Sequence, residues 1–250
     1  VAVSWEDDGV VLSVRRFGEH DAICTLLTAA HGRTAGMVKG GSGKQGRSLL
    51  QPGNHVRAAW RARLDSQLGV YTLESIRAYA AEALDSSSAL AGVACLCAMA
   101  EAALPEREPH AEVYRQCLHL LDHIGAAGWD AHYVLWELAL LRDMGYGLDL
   151  ATCAATGVTE DLAYVSPRSG RAVSRAAAAP YLAQLLHLPP FLKPASLQDH
   201  TASLTATAEE VARGLILTGH FFDRHVFAPH GQKPPAARQR FLERFAGQRI

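Results

Sequence analysis

The sequence predicts an α+β chain, with a five-stranded β-barrel at the N-terminus and an all-helical body behind it. Three observations predict it. Five short β-branched runs fill the first eighty positions, separated by turn residues and with no helical pattern among them. Near Tyr79 the sequence changes to Ala- and Leu-rich stretches with helical spacing. Charge changes at the same place. Residues 1–80 carry 10 Lys/Arg against 7 Asp/Glu, a net of +3, and residues 81–160 carry 3 against 12, a net of -9.

The predicted strands are Gly9–Arg16, Ala22–Thr28, Arg33–Lys39, Asn54–Arg63 and Val70–Arg77. Gly18, Gly32, Gly40–Gly46, Pro52-Gly53-Asn54 and Asp65 punctuate them, since these residues favour turn conformations. Five short strands in so small a unit suggest a closed barrel, and an OB-fold is the commonest candidate. The expected domains are 1–79 and 80–250.

In the second part, Ala80–Leu104 reads as a helix ended by Pro105 and Pro109. His110–Ile124 and Asp130–Met144 follow, with Asp130 as N-cap and Gly145 and Gly147 as the stop. Trp129, Tyr133, Trp136, Leu140 and Leu141 leave the third helix apolar on most sides, which predicts a central, buried position. Residues 148–175 break the rhythm as a short insert. Helix is expected again at Ala176–Leu188, then along Leu204, Ala208, Val211, Leu215 and Phe222, and finally at Arg238–Phe245.

With 49% hydrophobic and 20% charged residues, the chain reads as globular rather than disordered. No apolar run approaches the roughly 18 residues of a membrane span, and no basic-then-apolar leader is expected at its start. Five cysteines, Cys24, Cys95, Cys97, Cys117 and Cys153, are odd in number and irregular in spacing. That argues against a disulfide framework and for the cytoplasm. Cys95 and Cys97 read as small core residues. Residues 15–63 alone hold 9 Lys/Arg against 2 Asp/Glu, so a polyanion site on one surface is expected.

The segment Lys39-Gly-Gly-Ser-Gly-Lys-Gln-Gly-Arg47 is not a P-loop. Val38 stands where its first Gly belongs, and Gln45 where Ser or Thr must follow Lys44. A mobile basic loop is expected instead, with Lys39, Lys44 and Arg47 following a phosphate backbone and Arg15, Arg16, Arg33, Arg57, Arg61 and Arg63 close by. Strand alternation puts Arg57, Arg61 and Arg63 on one face and Trp60 in the barrel core.

His119 and His123 stand at i and i+4 as zinc ligands can, but no third ligand is near and the following Glu of a zinc hydrolase is missing. His220, His225 and His230, five apart, are expected to add pH-dependent charge beside Arg213 and Arg224. Glu137, inside the apolar helix, is expected to pair internally rather than serve as a base. No nucleophile elbow appears. A non-enzymatic polyanion binder is therefore the leading reading. A protein-only adaptor is the first alternative, and an enzyme using Glu137 or the His119/His123 pair is the second.

Several segments together resemble the RecO family of DNA repair proteins. They are Gly9-Val10-Val11-Leu12, Arg16-Phe17-Gly18-Glu19-His20-Asp21, Leu27-Thr28, His31-Gly32-Arg33, Val38-Lys39-Gly40 and Leu50-Gln51-Pro52-Gly53 with Trp60. Trp136-Glu137-Leu138, Gly145-Tyr146, Leu148-Asp149-Leu150 before Cys153, and Lys233-Pro234-Pro235-Ala236-Ala237-Arg238 continue the likeness in order. The resemblance implies an OB-fold binding single- and double-stranded DNA, and annealing of complementary strands. It implies action with RecR to load RecA onto strands coated by single-strand-binding protein (SSB). It also implies contact with the acidic, Phe-terminated SSB tail, for which Arg115 and Arg142 are the candidates, and a cytoplasmic, nucleoid-associated place. No membrane or cofactor is implied. Many members carry a zinc ribbon built from two pairs of cysteines. Here Cys153 stands, but Thr156, Ser174 and Ala177 occupy the other ligand places. A degenerate, metal-free ribbon-like insert at about 148–175 is expected, held by Leu162, Tyr164 and Val173.

Overall fold

The computed structural model describes residues 3–64, 66–193 and 204–246. The turn expected at Asp65 lies outside the described residues. The chain forms two compact units, Val1–Gly125 and Ala126–Ile250.

In the first unit, strands β1 (Val3–Phe17), β2 (Asp21–Thr28), β3 (Gly32–Val38), β4 (His55–Ala62) and β5 (Gly69–Arg77) close into a barrel of order β1-β2-β3-β5-β4. Neighbours pair antiparallel except β3 and β5, which run parallel. That arrangement is the OB-fold. β1 begins at Val3, earlier than its apolar pattern shows. Its Glu6-Asp7-Asp8 stretch lacks alternation, yet it pairs with Ala59-Ala58-Arg57 of β4.

The barrel is filled by Val11, Cys24, Leu26, Val56, Ala58, Trp60 and Tyr71. Its parallel seam is Gly36 opposite Gly69. A Cβ on Gly69 would lie 2.1 Å from the Trp60 indole, and one on Gly36 would lie 2.4 Å from the Tyr71 ring. Both aromatic rings fit because these two positions have no side chain.

The segment after β3 is not the mobile loop expected. It makes a turn and then a helix, α1 (Lys44–Leu49). Glycine spacing hid this helix, because Gly46 is a poor helix former. The reason for Gly46 is close packing: a Cβ there would meet the Gly41 backbone at 2.6 Å.

Three helices complete the unit: α2 (Tyr79–Glu82), α3 (Ser87–Ala103) and α4 (Ala111–Asp122). The single helix expected from Ala80 is thus broken, and Ser86 caps α3 by accepting from the Ala89 amide at 3.2 Å. α3 lies on β1, where Ser13 donates to Glu101 and the Cys97 thiol approaches the Val11 carbonyl at 3.5 Å. Cys95 and Cys97 are both buried.

The second unit is built on α5 (Trp129–Asp143), whose Trp129, Tyr133, Val134, Trp136, Leu140 and Leu141 are buried. Asp130 is not its N-cap. Gly128 is, in a left-handed conformation (φ 78°), and a Cβ there would meet the Leu204 carbonyl at 2.2 Å. Helix Ala208–Phe222 packs on α5, and helix Ala236–Ala246 packs on Ala208–Phe222.

Glu137 pairs internally, as expected. Arg238 donates to it twice, Nε to Oε1 and Nη2 to Oε2, both at 2.8 Å. Tyr133 and Thr218 donate to the same carboxylate, and the Leu215 carbonyl accepts from Arg238 at 2.6 Å. Glu137 is fully buried and Arg238 nearly so.

The insert holds a small sheet of β6 (Leu162–Val165), β7 (Ala172–Ser174) and β8 (Leu186–His187), ordered β7-β6-β8. The helix expected over Ala176–Leu188 is only a turn, Arg175–Ala178, followed by 3₁₀ structure and then β8. Pro180 lacks the amide a longer helix needs, and Leu186–His187 pairs with β6 instead. Leu162 and Val173 are buried with Val165, whereas Tyr164 is half-buried against His187.

The donor set here does not fit a zinc ion. Cys153 Sγ accepts from the Ser174 amide at 3.3 Å and lies 3.5 Å from the Ser174 hydroxyl. Ala177 has no donor atom. Among the described residues no group of three metal-ligating side chains converges. Burial pushes the Cys153 thiol up, but hydrogen bonds from Thr156, Ser174 and Ala155 outweigh it and bring it down to about 6.

Two outcomes are expected. The purified protein should contain well under one zinc per chain, and a strong chelator should leave its thermal midpoint unchanged; about one zinc per chain would show that other side chains complete a site. Replacing Arg238 by Ala should destabilise by about 3–5 kcal/mol, because it strands the buried Glu137 carboxylate. Pairing it with Glu137→Leu should recover much of that loss in a denaturant titration.

Candidate nucleic-acid interface

β1 and β2 end in an exposed hairpin, Val14–His20, turned by Gly18 with φ 63°. Asp21 ties it to the turn after β3. The Asp21 carboxylate accepts from the Gly40 amide at 2.9 Å, and its carbonyl accepts from the Ser42 hydroxyl at 2.7 Å. The Ser42 amide donates to the His20 carbonyl at 2.9 Å. These three bonds make one surface of two loops that are far apart in sequence. A shallow groove of about 510 Å³ lies between the second loop and β5, lined by Val38, Lys39, Gly40, Gly41, Thr72 and Leu73.

Five of the nine expected DNA-binding side chains gather on these elements. Arg15 and Arg16 are on the hairpin, Lys39 opens the turn, and Lys44 and Arg47 are on α1. All five are exposed and have no ion-pair partner among the described residues. Two carboxylates stand near them: Glu19, 3.8 Å from His20, and Asp21, which accepts from the Gly40 amide. Five cations against two carboxylates leave a net positive local field that attracts polyanions.

The other four expected residues do not join this cluster. Arg61 and Arg63 are exposed and without an ion pair among the described residues, but Arg61 pairs with Ser4, at the opposite end of β1 from the hairpin. Arg63 lies beyond the end of β4, so strand alternation does not orient it. Arg57 is exposed and bonded to Asp8 at 3.1 Å, a bond that raises its pKa. Arg33 turns away from solvent, donating to the Leu104 carbonyl at 2.8 Å and to Glu106 at 3.5 Å. The missing signal was cross-strand register, since linear spacing could not show that Asp8 faces Arg57. Trp60 is buried, as alternation required.

Sequence reading missed Asp21 as the tie between the loops. It also missed Trp5, which stacks on His31 at 4.1 Å and lies 5.6 Å from Trp60, closing the other end of the barrel.

Among the remaining candidates, Arg115 on α4 is exposed and paired with Glu112. Its neighbour Tyr114 is buried and bonded to His55 at 3.1 Å. Arg142 is exposed in the last turn of α5, where it complements the helix dipole. His123 is committed to the His119 carbonyl at 2.8 Å. His220 is bonded to the Pro167 carbonyl. Burial, with Arg224 and His220 nearby, lowers the pKa of His225, so it adds less charge than expected.

Comparison with known proteins agrees with this architecture. The family model described as "Recombination protein O N terminal" matches residues 3–79, and that described as "Recombination protein O C terminal" matches residues 85–234. A protein of Rhodospirillum centenum named DNA repair protein RecO is 49% identical over 245 residues, covering 97% of this chain and 95% of that protein. Relatives with the same name from Rhodospirillum rubrum and Rhodopseudomonas palustris are 48% and 50% identical, each aligned over at least 96% of this chain and 93% of their own length. A closed barrel of OB-fold order, a helical remainder and full-length identity near one half place this chain in the RecO family of DNA repair proteins.

Proposed function

We propose that this chain binds single- and double-stranded DNA through the barrel domain, residues 1–79, and anneals complementary strands. With RecR it helps load RecA onto strands coated by SSB, in the cytoplasm at the nucleoid. It works as a mediator rather than as an enzyme. One observation carries the reading: Arg15, Arg16, Lys39, Lys44 and Arg47 stand exposed, with no ion-pair partner among the described residues, on two loops that Asp21 joins. Such a surface suits a phosphate backbone, which binds with release of condensed cations. Arg61 and Arg63 offer a second point of contact at the far end of β1. Annealing suits a site that holds the backbone and leaves base edges to pair.

The second proposed partner is the SSB tail. Its acidic residues and terminal Phe need a cation beside an apolar surface. Arg115 and Arg142 are the proposed anchors, and the pairing of Arg115 with Glu112 makes the tail carboxylate compete with an existing ion pair.

Two measurements test this. Log K for oligothymidine against log salt should be linear, with a slope of about -0.7 per phosphate neutralised. Changing Lys39, Lys44 and Arg47 together to Ala should flatten that slope by about 2 and weaken binding on the order of 100-fold at ~0.1 M salt. Equal slope and affinity would leave the adaptor reading, in which the barrel binds only protein. For the tail, a labelled acidic peptide ending in Phe should bind Arg115→Glu more weakly than wild type. Equal binding in that variant and a loss in Arg142→Glu would move the anchor to α5.

A further inference from the structure

The tip of the basic hairpin carries a side chain that the phosphate-binding reading does not use. Phe17 is the last residue of β1, and half of its surface is exposed. The open half of this ring, next to Arg15 and Arg16 on a tied loop, is not taken up by the barrel core. Its place in the sheet is fixed by register. Ser13 reaches Glu101 of α3, so Ser13, Arg15 and Phe17 share that face of β1, and Phe17 pairs across the hairpin with Asp21. Ala22 pairs with Val38, the last residue of β3, and Lys39 follows at the start of the turn whose Gly40 amide is held by Asp21. The ring therefore stands with Arg15 about 7 Å along its own strand, and Lys39 opens the turn tied to the residue that faces the ring.

We propose that Phe17 is a stacking platform for an unpaired nucleobase, and that Arg15 and Lys39 hold the phosphates on either side of that base. The inference rests on the DNA-binding reading above and adds a base-dependent contact to it. The chemistry that fits is a flat, neutral π-surface on a chain of negative charges, which is a single strand with exposed bases. In a duplex the bases are stacked on each other and offer no free face. Phe17 would thus favour single strands over duplex, whereas the cations alone favour neither. Rigidity supports the assignment. Asp21, which faces Phe17, is bonded to Gly40 and Ser42, so the ring need not be ordered from a mobile loop when a base arrives.

Stacking and phosphate contact have different readouts. Loss of one base–aromatic stack should weaken binding about 5- to 150-fold. It should not change the salt slope, because no counterion is released by a ring. The test uses the full chain with Phe17→Ala and Phe17→Trp, an oligothymidine, an abasic strand of equal length, and a duplex. Phe17→Ala should bind oligothymidine at least about fivefold more weakly with an unchanged slope, and should bind the abasic strand and the duplex like wild type. Phe17→Trp should keep its affinity and show fluorescence quenching by oligothymidine beyond that of wild type. If Phe17→Ala binds oligothymidine normally while the Lys39/Lys44/Arg47 triple variant loses affinity, the platform is wrong and the DNA reading stands. If Phe17→Ala loses equally on the abasic strand, the ring shapes the hairpin and does not stack. If wild type shows no salt-dependent binding to any strand, the underlying reading fails first.

Discussion

The first unit depends on one contact, the parallel seam where Gly36 faces Gly69. An OB-fold barrel must bring its third strand beside its fifth, and here the two strands meet over only three pairs, Gly36–Val38 with Gly69–Tyr71. Two large rings fill the space behind that seam. Trp60 occupies the volume in which a Gly69 Cβ would stand, and Tyr71 the volume of a Gly36 Cβ. Tyr71 also donates its hydroxyl to the Thr34 carbonyl at 3.1 Å, which pins β5 to β3 with a side chain as well as with the ladder. Any side chain at either glycine would have to displace a buried ring in a close-packed interior. The elements of the candidate interface are hung on this closure. The hairpin extends from β1 and β2, the turn at Lys39 extends from β3, and both lie beside the seam.

Closing the barrel also decides which charges are left for function. A strand that joins the sheet brings its charged residues opposite those of its neighbour, so β1 and β4 neutralise Asp8 and Arg57 against each other. Arg33, next to the segment Glu106–Arg107, is spent on the Leu104 carbonyl in the same way. Arg15 and Arg16 face Ile23 and Ala22 across the β1–β2 ladder, and the turn and α1 follow the end of β3, so none of their cations has an ion-pair partner among the described residues, although Asp21 stands on the same surface. Exposed ion pairs add little stability, but they remove charge from the field seen by a ligand. The candidate polyanion surface is therefore set by which cations lack a facing carboxylate across the ladder, not by where arginine is most frequent.

This explains what the sequence could and could not reveal. Strand positions, their turns, the buried Trp60 and the central helix around Trp136 were legible, because alternation and helical period are local properties. So was the internal pairing of Glu137, since a lone carboxylate in an apolar helix must find a partner. Its partner Arg238 stands about a hundred positions on, and only packing brings the two together. Helix α1 was hidden because Gly46 is there for contact with Gly41 and not for helix propensity. The helical spacing of Ala176–Leu188 was read through Pro180, and the pairing of Leu186–His187 with β6 was not visible, because two residues carry no period. Of the binding residues, those on tied loops could be named from composition, whereas cross-strand neutralisation of Arg57 required the register.

The residues of the insert do not suit the metal that the family resemblance implies. A zinc ribbon gains its stability from four ligands on one ion, and a single cysteine cannot supply that. In this chain β8 brings Leu186 and His187 onto β6, and Leu162, Val165 and Val173 are buried. What remains to be solved is the charge on Cys153. With no cation beside it, the thiolate is held by amide and hydroxyl hydrogens, and its pKa of about 6 lies below the ordinary thiol value of 9.0. A group with a depressed pKa in the folded state contributes stability that is complete above its unfolded value and is lost as pH falls through the folded one. The lobe is thus most secure in mildly alkaline solution and loses this contribution between about pH 9 and 6. A zinc-bound ribbon would also weaken in acid, through proton competition for its ligands, but it would in addition answer to chelators, which separates the two arrangements.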